Sequence, residues 1–502
     1  MPTAIHKPGS TLKAQVSSGL FWSAGARIGQ QFIQFGFSVV LARLLSPGDY
    51  GLLAMVMVFT GFAAMLADAG FGSALVQKPD LGEEHVHTVF WVTVVSGVTL
   101  TAITFLAAPW LAVFYAAPAL KPIFRVVALT FTISGFGNVP LALLQKRMQF
   151  KTIAKITTWS LVVSGIIGLV LALLGAGVWS LVAQALAALL LNAILGCIAS
   201  KWVPRSIFRI AALKNLWHYA GHLYGFNFIN YWARNADSLV IGKFFGAPAL
   251  GIYSRAYGLM LLPITQVNSV ISQVLFPAFA SIQNDKPKVK RIYLRAMGIV
   301  TLTTFPIMFG LVVTAKPFIY TVYGPKWLEV APILQILAFV GAMQVLINST
   351  GWIFTSQGRT DLMLKWGVRF SIVVVASFAA GLAMGSVRAV ALCYCVANVL
   401  FIYPWLAVAG RVIDVKFKEI LATVAAPFVC SLAMAMIVAG VHLLLPSVWQ
   451  PWKTLATLVS VGVLVYGTII CLFKPFALLD FKQLIREKLT VRLKSGVLPR
   501  PL

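Results

Sequence analysis

Long apolar stretches, each separated from the next by a short polar or Pro/Gly-rich segment, run the whole length of the chain. A helix needs about 20 apolar residues to cross a bilayer. On that measure spans fall near residues 18–44, 52–77, 87–115, 123–145, 153–174, 177–200, 218–244, 250–277, 295–322, 331–356, 364–385, 388–409, 420–444 and 454–473. The pattern predicts about 14 transmembrane helices, with the fifth and sixth, and the eleventh and twelfth, joined by very tight turns. None of the stretches alternates apolar and polar residues as lipid-facing barrel strands do. Helices, which satisfy their own backbone groups, are the remaining way to cross lipid. The expected fold class is an all-α integral membrane protein.

Composition and charge add a topology. Of the 502 residues, 60% are hydrophobic and only 11% charged, too few charges to keep a soluble domain of that size in water. A net charge of +27 would point to nucleic acid in a soluble chain, but here the basic residues gather between the apolar stretches. With the N-terminus in the cytoplasm, 29 of the 40 Lys and Arg fall on the cytoplasmic side and 9 on the other. That bias obeys the positive-inside rule, places both termini in the cytoplasm and calls for no nucleic acid partner. The stretch 18–44 is too long for a signal-peptide core and lacks a small-x-small cleavage site, so it reads as the first span. Cys197, Cys393, Cys395, Cys430 and Cys471 all lie inside apolar stretches. No disulfide framework, metal site or cofactor is expected from them. His218 and His222 have a metal-compatible spacing, but no third ligand stands near them in sequence. Glu83, Glu84, His85 and His87 form a polar cluster on the cytoplasmic side and read as solvated.

The chain also echoes itself. Ala42-Arg43-Leu44-Leu45-Ser46-Pro47-Gly48-Asp49-Tyr50-Gly51 follows the first span, and Gly242-Lys243-Phe244-Phe245-Gly246-Ala247-Pro248-Ala249-Leu250-Gly251 follows the seventh, at a constant offset of 200. Each has a basic residue, two bulky apolar residues, a Pro/Gly turn and a new helix. Six spans separate the copies, so both run in the same direction. The expected organisation is a cytoplasmic N-terminus (1–17), a six-helix bundle (18–200) and a cytoplasmic linker (201–217). A second six-helix bundle (218–409), two additional helices (420–473) and a basic cytoplasmic tail (474–502) follow. Transporters are often built from such repeats, with the substrate site near the middle of the membrane.

Several motifs, in order, resemble one family. They include Ser18-Gly19-Leu20-Phe21-Trp22-Ser23, Leu41-Ala42-Arg43-Leu44-Leu45, Asp49-Tyr50-Gly51-Leu52 and Asp68-Ala69-Gly70-Phe71-Gly72. In the second half are Asp237-Ser238-Leu239-Val240-Ile241-Gly242-Lys243, Val274-Leu275-Phe276-Pro277 and Tyr323-Gly324-Pro325-Lys326-Trp327. Over residues 15–360 the chain resembles the Wzx-type polysaccharide transporters of the multidrug/oligosaccharidyl-lipid/polysaccharide flippase superfamily, in its colanic-acid-exporter-like branch. The resemblance implies two six-helix bundles around a central cavity in the bacterial inner membrane. It implies alternating access that carries an undecaprenyl-pyrophosphate-linked oligosaccharide from the inner to the outer leaflet for exopolysaccharide or O-antigen synthesis. The implied partners are that substrate, membrane lipids, H+ or Na+ as coupling ion, and a polysaccharide polymerase with its chain-length regulator. Lipid II flipping and drug/cation antiport are the other activities of the superfamily. A membrane-embedded polymerase or transferase is disfavoured, because no Asp-x-Asp pair or His-x-x-x-Asp motif supplies a catalytic set, and the chain is not expected to be an enzyme.

Polar residues within spans are the candidate site. A charge at the bilayer centre costs at least about 3 kcal/mol, so an intramembrane ionisable residue is a functional candidate by default. Arg27, Gln31 and Gln34 share one face of the first span. Asn227, Asn230, Arg234 and Asp237 share one face of the seventh, and the offset of 200 pairs position 27 with 227 and 34 with 234. Each half thus places one guanidinium on its first helix. Guanidinium is permanently charged and binds phosphate oxygens in a bidentate fashion, which suits a lipid-linked pyrophosphate. The amides of Gln31, Gln34, Asn227 and Asn230 suit sugar hydroxyls. Asp68 and Asp237 are the acids placed within spans, and so the candidates for ion coupling. The competing readings are that Arg234 only pairs with Asp237, that Arg27 snorkels, and that Asp68 bridges helices. The expected outcome is that Arg27→Ala and Arg234→Ala each impair polysaccharide export at normal protein levels, measured as surface polysaccharide in a complemented deletion strain. Full export by both variants contradicts the assignment.

Overall fold

The apolar stretches form helices, capped where the sequence supplies a short polar side chain. The structure, a computed structural model, describes residues 12–68, 75, 82–446 and 448–473. Among these residues there are fourteen α-helices and no strand. They are α1 (Leu12–Leu44), α2 (Pro47–Asp68), α3 (Glu83–Phe114), α4 (Leu120–Val127), α5 (Leu129–Lys146), α6 (Phe150–Leu173) and α7 (Val178–Ser200). Then come α8 (Ile210–Ser281), α9 (Lys286–Val322), α10 (Val330–Ser356), α11 (Thr360–Ala383), α12 (Val387–Val412), α13 (Phe417–Leu444) and α14 (Pro451–Phe473).

The helix starts follow from local chemistry. Ser46 Oγ accepts the Asp49 amide at 3.2 Å, while Asp49 Oδ2 accepts the Ser46 amide at 2.9 Å and its hydroxyl at 2.6 Å. With Pro47 at the first helical position, this box starts α2. Asp285 and Ser386 cap α9 and α12 by accepting the amides of Lys288 and Ala389. The two tight turns expected from the sequence are glycine turns. Gly175 and Gly177 (φ 79° and 54°) separate α6 from α7, and Gly385 (φ 73°) separates α11 from α12. Left-handed backbone of this kind ends a helix at little cost only in glycine.

Eleven helices among the described residues are long and apolar enough to cross a membrane. The sequence count of fourteen is therefore not reached on these residues. The other three expected spans, 18–44, 218–244 and 250–277, fall on α1 and α8, part of whose side chains lie outside the described set. Within α8 the helix kinks at Gly246 (φ 82°, ψ −179°), giving arms of 210–245 and 247–281.

Packing divides the chain into two units, Met1–Gly251 and Ile252–Leu502. In the first, α3 meets α5 through glycines. A Cβ on Gly97 would lie 2.5 Å from the Phe131 carbonyl, and one on Gly135 would lie 2.7 Å from the Thr93 carbonyl. Thr93 Oγ1 donates to the Gly135 carbonyl at 3.1 Å beside them. In the second, α11 meets α12 at Gly381, whose Cβ would lie 2.5 Å from Val390 Cα. Polar side chains join its other helices: Trp405 Nε1 donates to Thr350 Oγ1 and Gln344 Nε2 to the Tyr394 hydroxyl, both at 2.7 Å. The two C-terminal helices flank α9, where Phe428 packs on Phe305 and Phe309 and the Tyr466 hydroxyl donates to the Leu302 carbonyl at 2.7 Å. Small residues and interhelical hydrogen bonds are what hold helices together when lipid removes the hydrophobic driving force between them. The outward faces agree: Trp110, Val113, Leu174, Leu443 and Leu464 are strongly exposed, while Ser160, Ser180, Thr301 and Asn398 are fully buried. That inversion of the soluble pattern marks a multi-pass membrane protein.

Candidate functional site

The polar stripe of α1 projects as its spacing requires. Arg27 and Gln34 are exposed and Gln31 is half-buried. Arg27 sits at the middle of a 33-residue helix. The neighbouring Gln30, which the sequence reading passed over, turns the other way. Its Nε2 donates to Thr157 Oγ1 at 2.7 Å and Thr158 Oγ1 at 2.9 Å, fastening α1 to α6. The Thr157-Thr158 pair within an apolar stretch was the available signal for that contact. Gln30 thus ties α1 to the bundle, while Arg27 and Gln34 face outward.

On α8, Arg234 is exposed and Asp237 is buried at 4% exposure, where Oδ1 accepts the amide of Ser238 at 2.6 Å. The two lie three residues apart but in different surroundings. Asn227, Asn230, His218 and His222 are on the same helix, and their side chains lie outside the described residues, as does that of Asp68 at the end of α2. The sequence reading also missed Tyr231. Its hydroxyl donates to the Val58 carbonyl at 2.6 Å, and Trp232 beside it packs against Phe59 and Phe62. Lys243 donates to the Phe114 carbonyl and lies 4.9 Å from that ring. The first arm of α8 is thereby fastened to α2 and to the end of α3. Along the helix axis, position 234 stands about 18 Å from the kink at Gly246, at about 1.5 Å per residue.

The polar cluster at the start of α3 corrects one expectation. His87 is not solvated: it is 3% exposed, stacks on Trp202 at 5.1 Å, and its Nδ1 accepts the Arg205 amide at 3.0 Å. Glu83 and Glu84 pair with Arg205 and Arg209 at 3.6 and 3.0 Å, and Trp91 Nε1 donates to the Arg205 carbonyl. Segment 201–209 is therefore strapped to the start of α3. Sequence separation of more than 110 residues hid these pairs.

The fold is one that solved multi-pass transporters share. A solved structure of the lipid II flippase MurJ in an inward closed conformation superposes with a TM-score of 0.71, covering 90% of this chain and 98% of its own at 16% identity. The chain belongs to the polysaccharide biosynthesis protein family, whose profile matches residues 40–332. It is 29% identical to the teichuronic acid biosynthesis protein TuaB of Bacillus subtilis over 86% of this chain and 90% of that one. It is 26% identical to the lipopolysaccharide biosynthesis protein WzxC of Escherichia coli over 84% and 86%.

The contrast between Arg234 and Asp237 has a measurable consequence. Arg234→Ala, at an exposed position, should change thermal stability of the detergent-solubilised protein by less than about 0.5 kcal/mol. Asp237→Ala removes a buried carboxylate that accepts the Ser238 amide and should destabilise by about 1–3 kcal/mol. Equal destabilisation by the two contradicts their different surroundings.

Proposed function

We propose that this protein is a flippase that moves an undecaprenyl-pyrophosphate-linked oligosaccharide repeat unit from the inner to the outer leaflet of the cytoplasmic membrane, by alternating access, for surface polysaccharide synthesis. Family membership and the transporter fold support a polysaccharide-related cargo. The observation that carries the lipid-linked anion is the pair of exposed arginines, Arg27 and Arg234, on long helices of the bundle. Facing lipid, each guanidinium would cost several kcal/mol, whereas a water-filled path hydrates it. In such a path the two arginines bind the pyrophosphate, and Gln31, Gln34, Asn227 and Asn230 meet the sugars. Asp237, buried in the helix that carries Arg234, couples an ion, H+ or Na+, to the cycle, and Asp68 is the second candidate for that role.

The organisation proposed with this function is six spans over 18–200, six over 218–409 and two over 420–473. Both termini then face the cytoplasm, in keeping with the 29-to-9 bias of basic residues. A polymerase and a chain-length regulator take over the flipped unit on the far side. Its chemistry is transport: no covalent step is assigned to any residue.

Deleting the gene should leave a lipid-linked oligosaccharide accumulating on the cytoplasmic side, identified by mass spectrometry of the extracted lipids, with loss of a surface polysaccharide. An unchanged lipid pool together with unchanged surface polysaccharide would contradict the proposal.

A further inference from the structure

The echo at offset 200 returns in three dimensions as a contact. A Cβ on Gly51 would overlap the Ala247 carbonyl, and a Cβ on Gly251 would overlap the Pro47 carbonyl. Positions 47 and 247, and 51 and 251, are equivalents in the echo. The two turns therefore meet reciprocally, backbone on backbone, each glycine against the carbonyl at the start of the other turn. The contact continues along α2 and the first arm of α8. Met55, 1% exposed, faces Gly242, whose Cβ would stand 3.3 Å from Met55 Cγ. Gly61 makes room for Tyr231, whose hydroxyl would lie 2.5 Å from a Cβ there. Four glycines, Gly51, Gly61, Gly242 and Gly251, thus bring the backbones together over 47–61 and 231–251.

We propose that this edge is a reversible seal which closes the path at the end away from the basic face, and that Gly51 and Gly251 set how readily it closes; this rests on the transport reading and its topology. The contact is suited to opening. At the turns it consists of backbone approach, with no interlocked large side chains to withdraw. Such contacts are short-ranged and so either made or lost, giving two discrete states. The Tyr231 hydroxyl and the Lys243 ammonium donate to carbonyls at Val58 and Phe114, and water satisfies both donors once the edge parts. A side chain at position 51 or 251 blocks the closed state and leaves the open one untouched. The glycines thereby set the balance between the two states.

The test uses the full chain with its five cysteines replaced by alanine and Met55→Cys as reporter. Intact cells are exposed to a membrane-impermeant maleimide, and modification at position 55 is followed by mass spectrometry. Gly51→Val should speed modification about tenfold or more, the effect of a modest shift in a two-state balance. Gly48→Ala should leave the rate unchanged, since a Cβ there makes only ordinary contacts at 3.6 and 3.8 Å. An unchanged rate in a Gly51→Val protein that is monodisperse in detergent overturns the proposal. If that variant does not accumulate, Gly48→Cys with Pro248→Cys replaces it. Oxidation of that pair should suppress modification at position 55 and reduction should restore it; modification that ignores the cross-link overturns the seal. The readout needs no substrate. Faster modification in Gly51→Val alongside an unchanged lipid-linked pool in the deletion strain would leave the seal standing and remove the flippase reading.

Discussion

No water reaches the hydrocarbon core of a bilayer, so every backbone N–H and C=O there must be satisfied by the protein itself. That constraint forces the chain into helices, and it also decides how they adhere. With lipid on the outside there is no hydrophobic gain in bringing one apolar helix against another, so adhesion comes from close backbone approach and from hydrogen bonds between side chains. The crossings of α3 with α5 at Gly97 and Gly135, and of α11 with α12 at Gly381, follow from it. So do the Trp405–Thr350 and Gln344–Tyr394 bonds and the large apolar side chains exposed along α3, α13 and α14.

The same constraint gives polar residues their meaning. A polar side chain in a span has either found a partner on another helix or faces a place where water can follow it. Gln30 is the first kind, tied to Thr157 and Thr158. Asp237 is buried, and Ser238 donates to it. Arg27, Gln34 and Arg234 remain exposed. Sorting the stripe this way turns a list of unusual residues into a candidate path for an anionic headgroup.

Much of this was legible in the sequence because length and hydropathy are one-dimensional signals. The helices, the glycine turns after α6 and α11, the family and the offset of 200 could all be read along the chain. Partners distant in sequence could not. His87 read as solvated because Trp202 and Arg205, which cover it, lie more than 110 residues away. Tyr231 was invisible as a helix fastener because its acceptor is a backbone carbonyl, which no side-chain pattern announces. The echo showed two similar turns, but not that Gly51 and Gly251 would each rest on the other turn's backbone. The span count is the remaining discrepancy: eleven apolar helices among the described residues, against fourteen expected, with the difference falling on α1 and α8.

The central claim is that two intramembrane guanidinium groups carry a lipid-linked pyrophosphate through the bundle. It is tested most directly with the purified protein in proteoliposomes, following the transbilayer movement of an undecaprenyl-pyrophosphate-linked oligosaccharide by its accessibility to an external glycosidase. The wild-type protein should accelerate that movement, and Arg27→Ala combined with Arg234→Ala, inserted in equal amount, should bring it back to the rate of protein-free vesicles. Movement at the wild-type rate in the double variant, or none with the wild-type protein, would contradict the claim.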